Sequence, residues 1–266
     1  MTARPAADRR RVAVVTGASS GIGEATARLL ARRGWHCVLI ARREDELRRL
    51  ASELGADVEV CDVGDREAVA ATTARVLERY PEVDLLVNSA GILARGSFVD
   101  APLDLIEQAL TVNYLGCVWM TRGLLEGIRA AARARGRAHI ATIASIGGAI
   151  VFTPAAPYSA SKFAQVAFSR SLRASLRGSG IDVHTILPGF VTTPGFPHPK
   201  IFSTPFGRPF VVGPERVAAK VLAAVERNKA EVVIPWFPYR LGAVAQAVLP
   251  GTTARVLKHF DYPDDA

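Results

Sequence analysis

The chain has 266 residues, 49% of them hydrophobic, with a formal net charge of +8 and a pI near 9.9. That apolar content is enough for a large core and excludes a disordered chain, while no apolar run reaches the roughly 18–20 residues of a membrane span. The arginines are scattered over helix-like stretches such as "ARREDELRRL", with no basic face interleaved with aromatics, so the charge points away from nucleic acid and leaves phosphate-bearing ligands or anionic membrane surfaces open.

The opening "MTARPAADRRR" is basic but is followed by no apolar core, so residues 1–11 read as a flexible tail and not a secretory signal. Cys37, Cys61 and Cys117 are far apart, lack CxxC spacing and sit among apolar neighbours. They read as buried, reduced thiols, and the expected compartment is the cytoplasm. From there to about residue 190, short β-branched runs ("RVAVVTG", "HCVLIA", "DVEVCD", "VDLLVNSA", "AHIATIAS", "DVHTILPG") alternate with amphipathic stretches at 24–33, 44–54, 66–79 and 104–129. Strand–helix alternation with nearly continuous apolar strands predicts a parallel sheet covered on both faces: one doubly wound α/β domain in three layers.

A glycine-rich turn, "TGASSGIG", follows the first strand directly and opens a helix near Gly21. Glycines there let the backbone approach a pyrophosphate, whose charge is favoured at a helix N-terminus. Further on, Tyr158 and Lys162 are one helical turn apart and share a face, with Ser145 thirteen residues upstream. An ammonium beside a phenol favours the phenolate and draws its pKa down from near 10. The pattern YxxxK by itself fits an ordinary surface pair equally well.

The set TGxxxGxG, "VNSAG" after the fourth strand, and Ser145 with Tyr158-xxx-Lys162 resembles the short-chain dehydrogenase/reductase superfamily, in its compact single-domain branch, over residues 12–193. The resemblance implies a Rossmann-like fold over 12–235, with a substrate loop at about 190–213 and a C-terminal extension from 236 to 266. It implies that Gly17, Ser19, Ser20, Gly21, Ile22 and Gly23 wrap the pyrophosphate and adenosine ribose of a nicotinamide cofactor, and that Asp62 and Val63 contact the adenine. Asn88, Ala90 and Gly91 would stand beside the ribose, with Ser89 where the family often has Asn. Pro188 and Gly189 would pass behind the nicotinamide, and Val191 and Thr193 would bind its carboxamide.

The same resemblance gives Asn113, Ser145, Tyr158 and Lys162 as catalytic residues. Tyr158 is the expected acid/base, and Lys162 is expected both to lower its pKa and to bind the nicotinamide ribose. Ser145 would hold the substrate oxygen, and Asn113 would bend its helix locally and anchor a water linking Lys162 to solvent. NAD-preferring relatives carry an Asp at the end of strand two; here Ala41 stands there, followed by Arg42 and Arg43. That favours NADP(H) over NAD(H), since a guanidinium suits a 2′-phosphate, although "ARRE" also fits a solvated helix start.

The substrate wall is expected from Gly147, Phe152, Phe190 and Phe196, with Ser145 and Tyr158 at the reacting centre. Residues 146–153 and 190–209 contain no Asp or Glu, so a lipophilic carbonyl compound or alcohol is the expected substrate. The five histidines share no ligand spacing, and no metal site is expected. Seven prolines between Pro188 and Pro214 rule out regular structure throughout that stretch. A helix over 214–228 and the strand "EVVIP" follow. Family members commonly assemble as homodimers or homotetramers through the helices matching 104–129 and 157–178. The segment from Trp236, with Phe237, Tyr239 and several basic residues, is expected to break at Pro250-Gly251. It fits packing on the cleft or a neighbouring subunit, and also weak contact with a membrane interface.

Overall fold

The computed structural model describes residues 10–151, 155–194 and 210–257. Strand β1 (Val12–Thr16) is buried along its whole length. It pairs in parallel with β2 (His36–Ala41) on one side and β4 (Leu85–Asn88) on the other. With β3 (Asp57–Val60), β5 (Ala138–Ile143), β6 (Ile181–Pro188) and β9 (Glu231–Ile234) it forms a seven-stranded parallel sheet in the order β3-β2-β1-β4-β5-β6-β9. Outside it, β7 (Phe190–Val191) and β8 (Val211–Val212) make a small parallel pair.

Alternation along each strand divides the core into two halves. Val14, Val38, Leu86 and Ile140 face one side, where they meet Val69 and Val76 of α3 (Arg66–Arg79) and Leu124 and Ile128 of α5 (Gly116–Arg135). Val15, Leu39, Val87 and Ala141 face the other, against Leu30 of α1 (Gly21–Arg32), Leu47 and Leu50 of α2 (Glu44–Leu54), and Val217 and Val221 of α7 (Pro214–Glu226). This is the expected three-layer, Rossmann-like, doubly wound domain. The strand order reverses between β1 and β4, which opens a crevice at the carboxyl ends of the strands.

Local signals set the helix limits. Asp65 caps α3 by accepting hydrogen bonds from the backbone N–H groups of Glu67 and Ala68 at 2.9 and 3.0 Å. Gly55 ends α2 in the left-handed conformation. The helix expected over 104–129 is instead three pieces: α4 (Leu103–Ala109), a π-helical stretch Leu110–Leu115, and α5. Helix α6 (Ala156–Ser175) carries Tyr158 and Lys162. The C-terminal segment forms α8 (Tyr239–Val248) and α9 (Pro250–Leu257); Pro250 opens the second helix, where a missing N–H costs nothing. Among the described residues no helix is long and apolar enough to cross a membrane.

Two histidines that lie 45 residues apart meet between β5 and β6. His184 Nδ1 is 2.7 Å from the Lys229 carbonyl, which can only accept, so His184 Nε2 is left to accept from His139 Nδ1 at 3.1 Å. Burial pushes His139 down to about 4 and lowers His184 as well. Between pH 6.5 and about 4 the unfolded chain therefore binds more protons than the folded one, and stability falls as pH falls through that window. Thermal unfolding followed over this range is expected to show a loss approaching about 3 kcal/mol from His139, largely absent in His139→Leu.

Candidate active site

The turn after β1 is shaped by close backbone approach. Gly17 has φ +64°, and a Cβ there would lie 2.8 Å from the backbone of Ala90, so only glycine lets the turn nest against the loop after β4. Thr16 fixes this junction: its Oγ1 accepts from the N–H groups of Ser89 and Ala90 at 3.0 and 3.1 Å. The result is a groove of ≈ 540 Å³ along the crevice, lined by Gly17, Ser19, Ser20, Gly21, Ile22, Gly23, Ala41, Arg42, Arg43, Asp62, Val63, Ala90, Gly91, Tyr158, Lys162 and Thr193, among others. Arg43 Nη2 donates to Ser19 Oγ at 3.0 Å, and Arg42 lies 3.6 Å from Asp62.

One predicted groove residue is not brought to the wall. Asn88 is buried behind it, with Nδ2 donating to Thr121 Oγ1 of α5 at 3.0 Å. As the last residue of β4 it faces the helix layer, so its neighbours Ser89, Ala90 and Gly91 form the groove surface.

Beyond Tyr158 the groove meets a smaller pocket of ≈ 110 Å³. Ser145, Gly147, Tyr158, Pro188, Gly189, Phe190, Val191 and Thr193 line it, together with Ile22, Leu93, Arg95 and Ala155. Thus Pro188, Gly189 and Val191 face the pocket, while Thr193 serves both cavities. Phe152 and Phe196 lie outside the described residues. Ser145 is buried at the end of β5, where its Oγ accepts from Gly147 N–H at 3.0 Å and caps a short 3-10 turn.

Asn113 lies fully buried in the π-helical stretch. Its Oδ1 accepts from Ile92 N–H at 2.7 Å, and its Nδ2 donates to the Ile92 carbonyl at 3.0 Å and to Ser161 Oγ at 2.9 Å. The expected local bend is therefore a change of helix type, and the side chain ties the loop after β4 to α6. Lys162 is buried, with Nζ 5.5 Å from the centre of the Tyr158 ring. Burial pushes Lys162 down to about 8.

The Tyr158 ring keeps partial access to the pocket, yet desolvation pushes its phenol up to about 12, only partly opposed by a hydrogen bond with Ser145. Lys162 Nζ, 5.5 Å from the ring centre, does not offset that desolvation, which favours the neutral phenol.

Arg95, Leu93 and Ala155 were not legible in the sequence as lining residues: each belongs to no motif, and only the bridge pairing Gly96 with Ala155 brings them together. No cluster of His, Cys, Asp or Glu suited to a metal exists among the described residues.

A family model described as short chain dehydrogenase matches residues 11–198. The chain belongs to the short-chain dehydrogenase/reductase family. It is 41% identical over 198 residues to the granaticin polyketide synthase putative ketoacyl reductase 1 of Streptomyces violaceoruber, covering 73% of this chain and 72% of that one. With dehydrogenase/reductase SDR family member 7B of Bos taurus it shares 32% identity over 270 residues, 94% of this chain and 81% of the relative. Among solved structures, a variant of actinorhodin polyketide ketoreductase with NADPH superposes with a TM-score of 0.75 at 32% identity, over 85% of this chain and 95% of that chain. An alcohol dehydrogenase from the archaeon Thermococcus sibiricus, complexed with 5-hydroxy-NADP, gives 0.74 at 26% identity, over 85% and 96%. As a short-chain dehydrogenase/reductase the chain is an oxidoreductase by family.

Gly189 of the short-chain dehydrogenase/reductase pocket packs against the C-terminal segment. Tyr239 of α8 is buried, and its hydroxyl donates to the Phe210 carbonyl at 2.9 Å. A Cβ at Gly189 would lie 2.0 Å from the Tyr239 ring. Gly189→Ala is therefore expected to cost about 1–3 kcal/mol by overpacking, and Tyr239→Ala in the same chain to recover part of it. Thermal denaturation of the two single variants and the double variant checks this coupling.

Proposed function

We propose that the protein is an NADP(H)-dependent oxidoreductase that interconverts a lipophilic ketone or aldehyde and its alcohol. The observation that carries this reading is the position of Tyr158: it lines both the long groove and the apolar pocket, with Ser145 on the pocket side and Lys162 on the groove side. The groove fits a dinucleotide by its size, by the Gly17 turn that a side chain would obstruct, and by the run from Ser19 to Gly23 along its wall.

A nicotinamide cofactor bound there supplies or accepts the hydride. The chain's own groups handle the proton and the charge. Reduction of a carbonyl develops negative charge on its oxygen, which needs a donor placed where that charge forms. The Ser145 hydroxyl supplies a hydrogen bond and the Tyr158 phenol the proton; in the opposite direction Tyr158 takes the proton back. A phenol held neutral suits the reducing direction. Lys162, as an ammonium, favours the phenolate left behind and binds ribose hydroxyls. Asn113 holds the Ile92 backbone and Ser161 in place around Lys162.

Arg42 and Arg43 support the choice of NADP(H). They line the groove at the end of β2, where Ala41 offers no carboxylate to repel a 2′-phosphate. Arg42 is only loosely paired with Asp62 and can turn to such a group. The pocket lining is mostly apolar, which supports a lipophilic substrate, and Arg95 is the one charged lining residue among those described. Assembly as a homodimer or homotetramer in the cytoplasm remains part of this proposal, on the family's habit alone.

Oxidation of NADPH over a panel of lipophilic ketones and aldehydes tests the activity directly; the panel's complete failure would sink it. Tyr158→Phe is expected to lower turnover at least about a thousandfold while NADPH still binds, measured by single-turnover assay and cofactor fluorescence. Turnover within tenfold of wild type would remove Tyr158 from the acid/base role. Ala41→Asp combined with Arg42→Leu is expected to shift the ratio of kcat/KM values towards NADH by about 10–100-fold. Carbonyl reduction is expected to decline as pH rises through about 8, where Lys162 loses its charge.

A further inference from the structure

The charge of Lys162 is solvated in an unusual way. The residue is 4% exposed, and among the described residues no carboxylate reaches its ammonium. Two neutral oxygens do: Gln165 Oε1 at 2.7 Å and the Ile143 carbonyl at 3.3 Å. The Ile143 carbonyl is main chain and would be present with any side chain. Gln165 is a choice of sequence.

Gln165 follows Lys162 by three residues on α6 and is fully buried against the Cys117 thiol. Its amide nitrogen and the Thr142 hydroxyl of β5 find no nitrogen or oxygen partner among the described residues, and both face the Cys117 thiol, a weak acceptor. A methionine or leucine would fill this space and strand no polar atom. Packing therefore does not account for the amide. Its one strong polar contact is the bond to the lysine.

We propose that Gln165 is a positioning residue whose Oε1 keeps Lys162 charged and aims its Nζ along the groove towards Tyr158 and the cofactor ribose. The second part rests on the oxidoreductase reading above; the first concerns the free protein. With the oxygen removed, the ammonium retains one carbonyl partner in a dry site and gives up its proton more readily. With a carboxylate in its place, the ammonium is held more firmly.

The chain contains five lysines, Lys162, Lys200, Lys220, Lys229 and Lys258, so the ¹³Cε signal of Lys162 can be assigned by its loss in Lys162→Met and titrated in the free protein. Gln165→Met is expected to move the Lys162 titration to lower pH by about one unit. Gln165→Glu, nearly identical in volume, is expected to move it to higher pH. If reduction is observed, the fall in kcat/KM at high pH should move in the same two directions, and KM for NADPH should rise roughly tenfold in Gln165→Met at pH 8. A role in packing alone would lower the thermal midpoint without moving the titration in opposite directions.

An unchanged Lys162 titration in both variants, or a downward shift in both, overturns the proposal. Should Gln165→Met not fold, the Glu variant decides: an upward shift supports the proposal and no shift overturns it. The titration needs no turnover, so a protein that reduces nothing on the panel would defeat the functional reading and leave this result standing.

Discussion

Every strand of the main sheet runs the same way, and that constraint organises the rest of the molecule. Parallel pairing of β1 with both β2 and β4 puts the carboxyl ends of the strands on one rim. Turns that are remote in sequence then share a wall. The glycine turn after β1, the Asn88–Gly91 loop after β4, Ser145 after β5 and Pro188 at the end of β6 all line or back one continuous cleft. The sheet cannot slip its register without turning Val14 and Val15 to the wrong faces, so the positions of these turns are as fixed as the core itself.

Along that rim the electrostatics run against the simplest expectation from a tyrosine and a lysine one turn apart. Desolvation pushes Tyr158 up and Lys162 down, so the phenol and the ammonium each move towards their neutral forms. A dry site exaggerates every remaining polar contact. Among the described residues the fold answers with neutral dipoles and no counter-charge: Ser145 beside Tyr158, and the Ile143 carbonyl with Gln165 beside Lys162. A carboxylate at the same place would hold the ammonium more firmly while offsetting its field at Tyr158.

The sequence made the sheet legible because its strands are short apolar runs and its glycine turn sits directly after the first of them. Helices α2 and α3 appear at their expected limits, marked by acidic starts and, for α2, by Gly55. Of the residues given by motif spacing, Asn88 and Asn113 are buried behind the cleft wall, bonded to Thr121 and to Ile92 and Ser161, contacts that a short motif does not carry. What stayed hidden depends on tertiary contact. His139 and His184 meet only because β5 and β6 are neighbours, Arg95 enters the pocket wall through the pairing of Gly96 with Ala155, and Gln165 matters for what it touches. The apolar spacing of "LTVNYL" fits a continuous helix, so the change of helix type at Asn113 left no trace in the pattern.

That change of helix type has a consequence for ancestry. A π-helical stretch accommodates one residue more than the α-helix around it would. Each residue of an α-helix turns the next by about 100°. Deleting a single codon within Leu110–Leu115 would therefore restore a smooth helix and swing Asn113 away from Ile92 and Ser161 by a comparable angle. The Asn113 anchor thus stands one insertion away from an ordinary α-helix, a step that evolution can take in a single event and without disturbing α4 or the rest of α5.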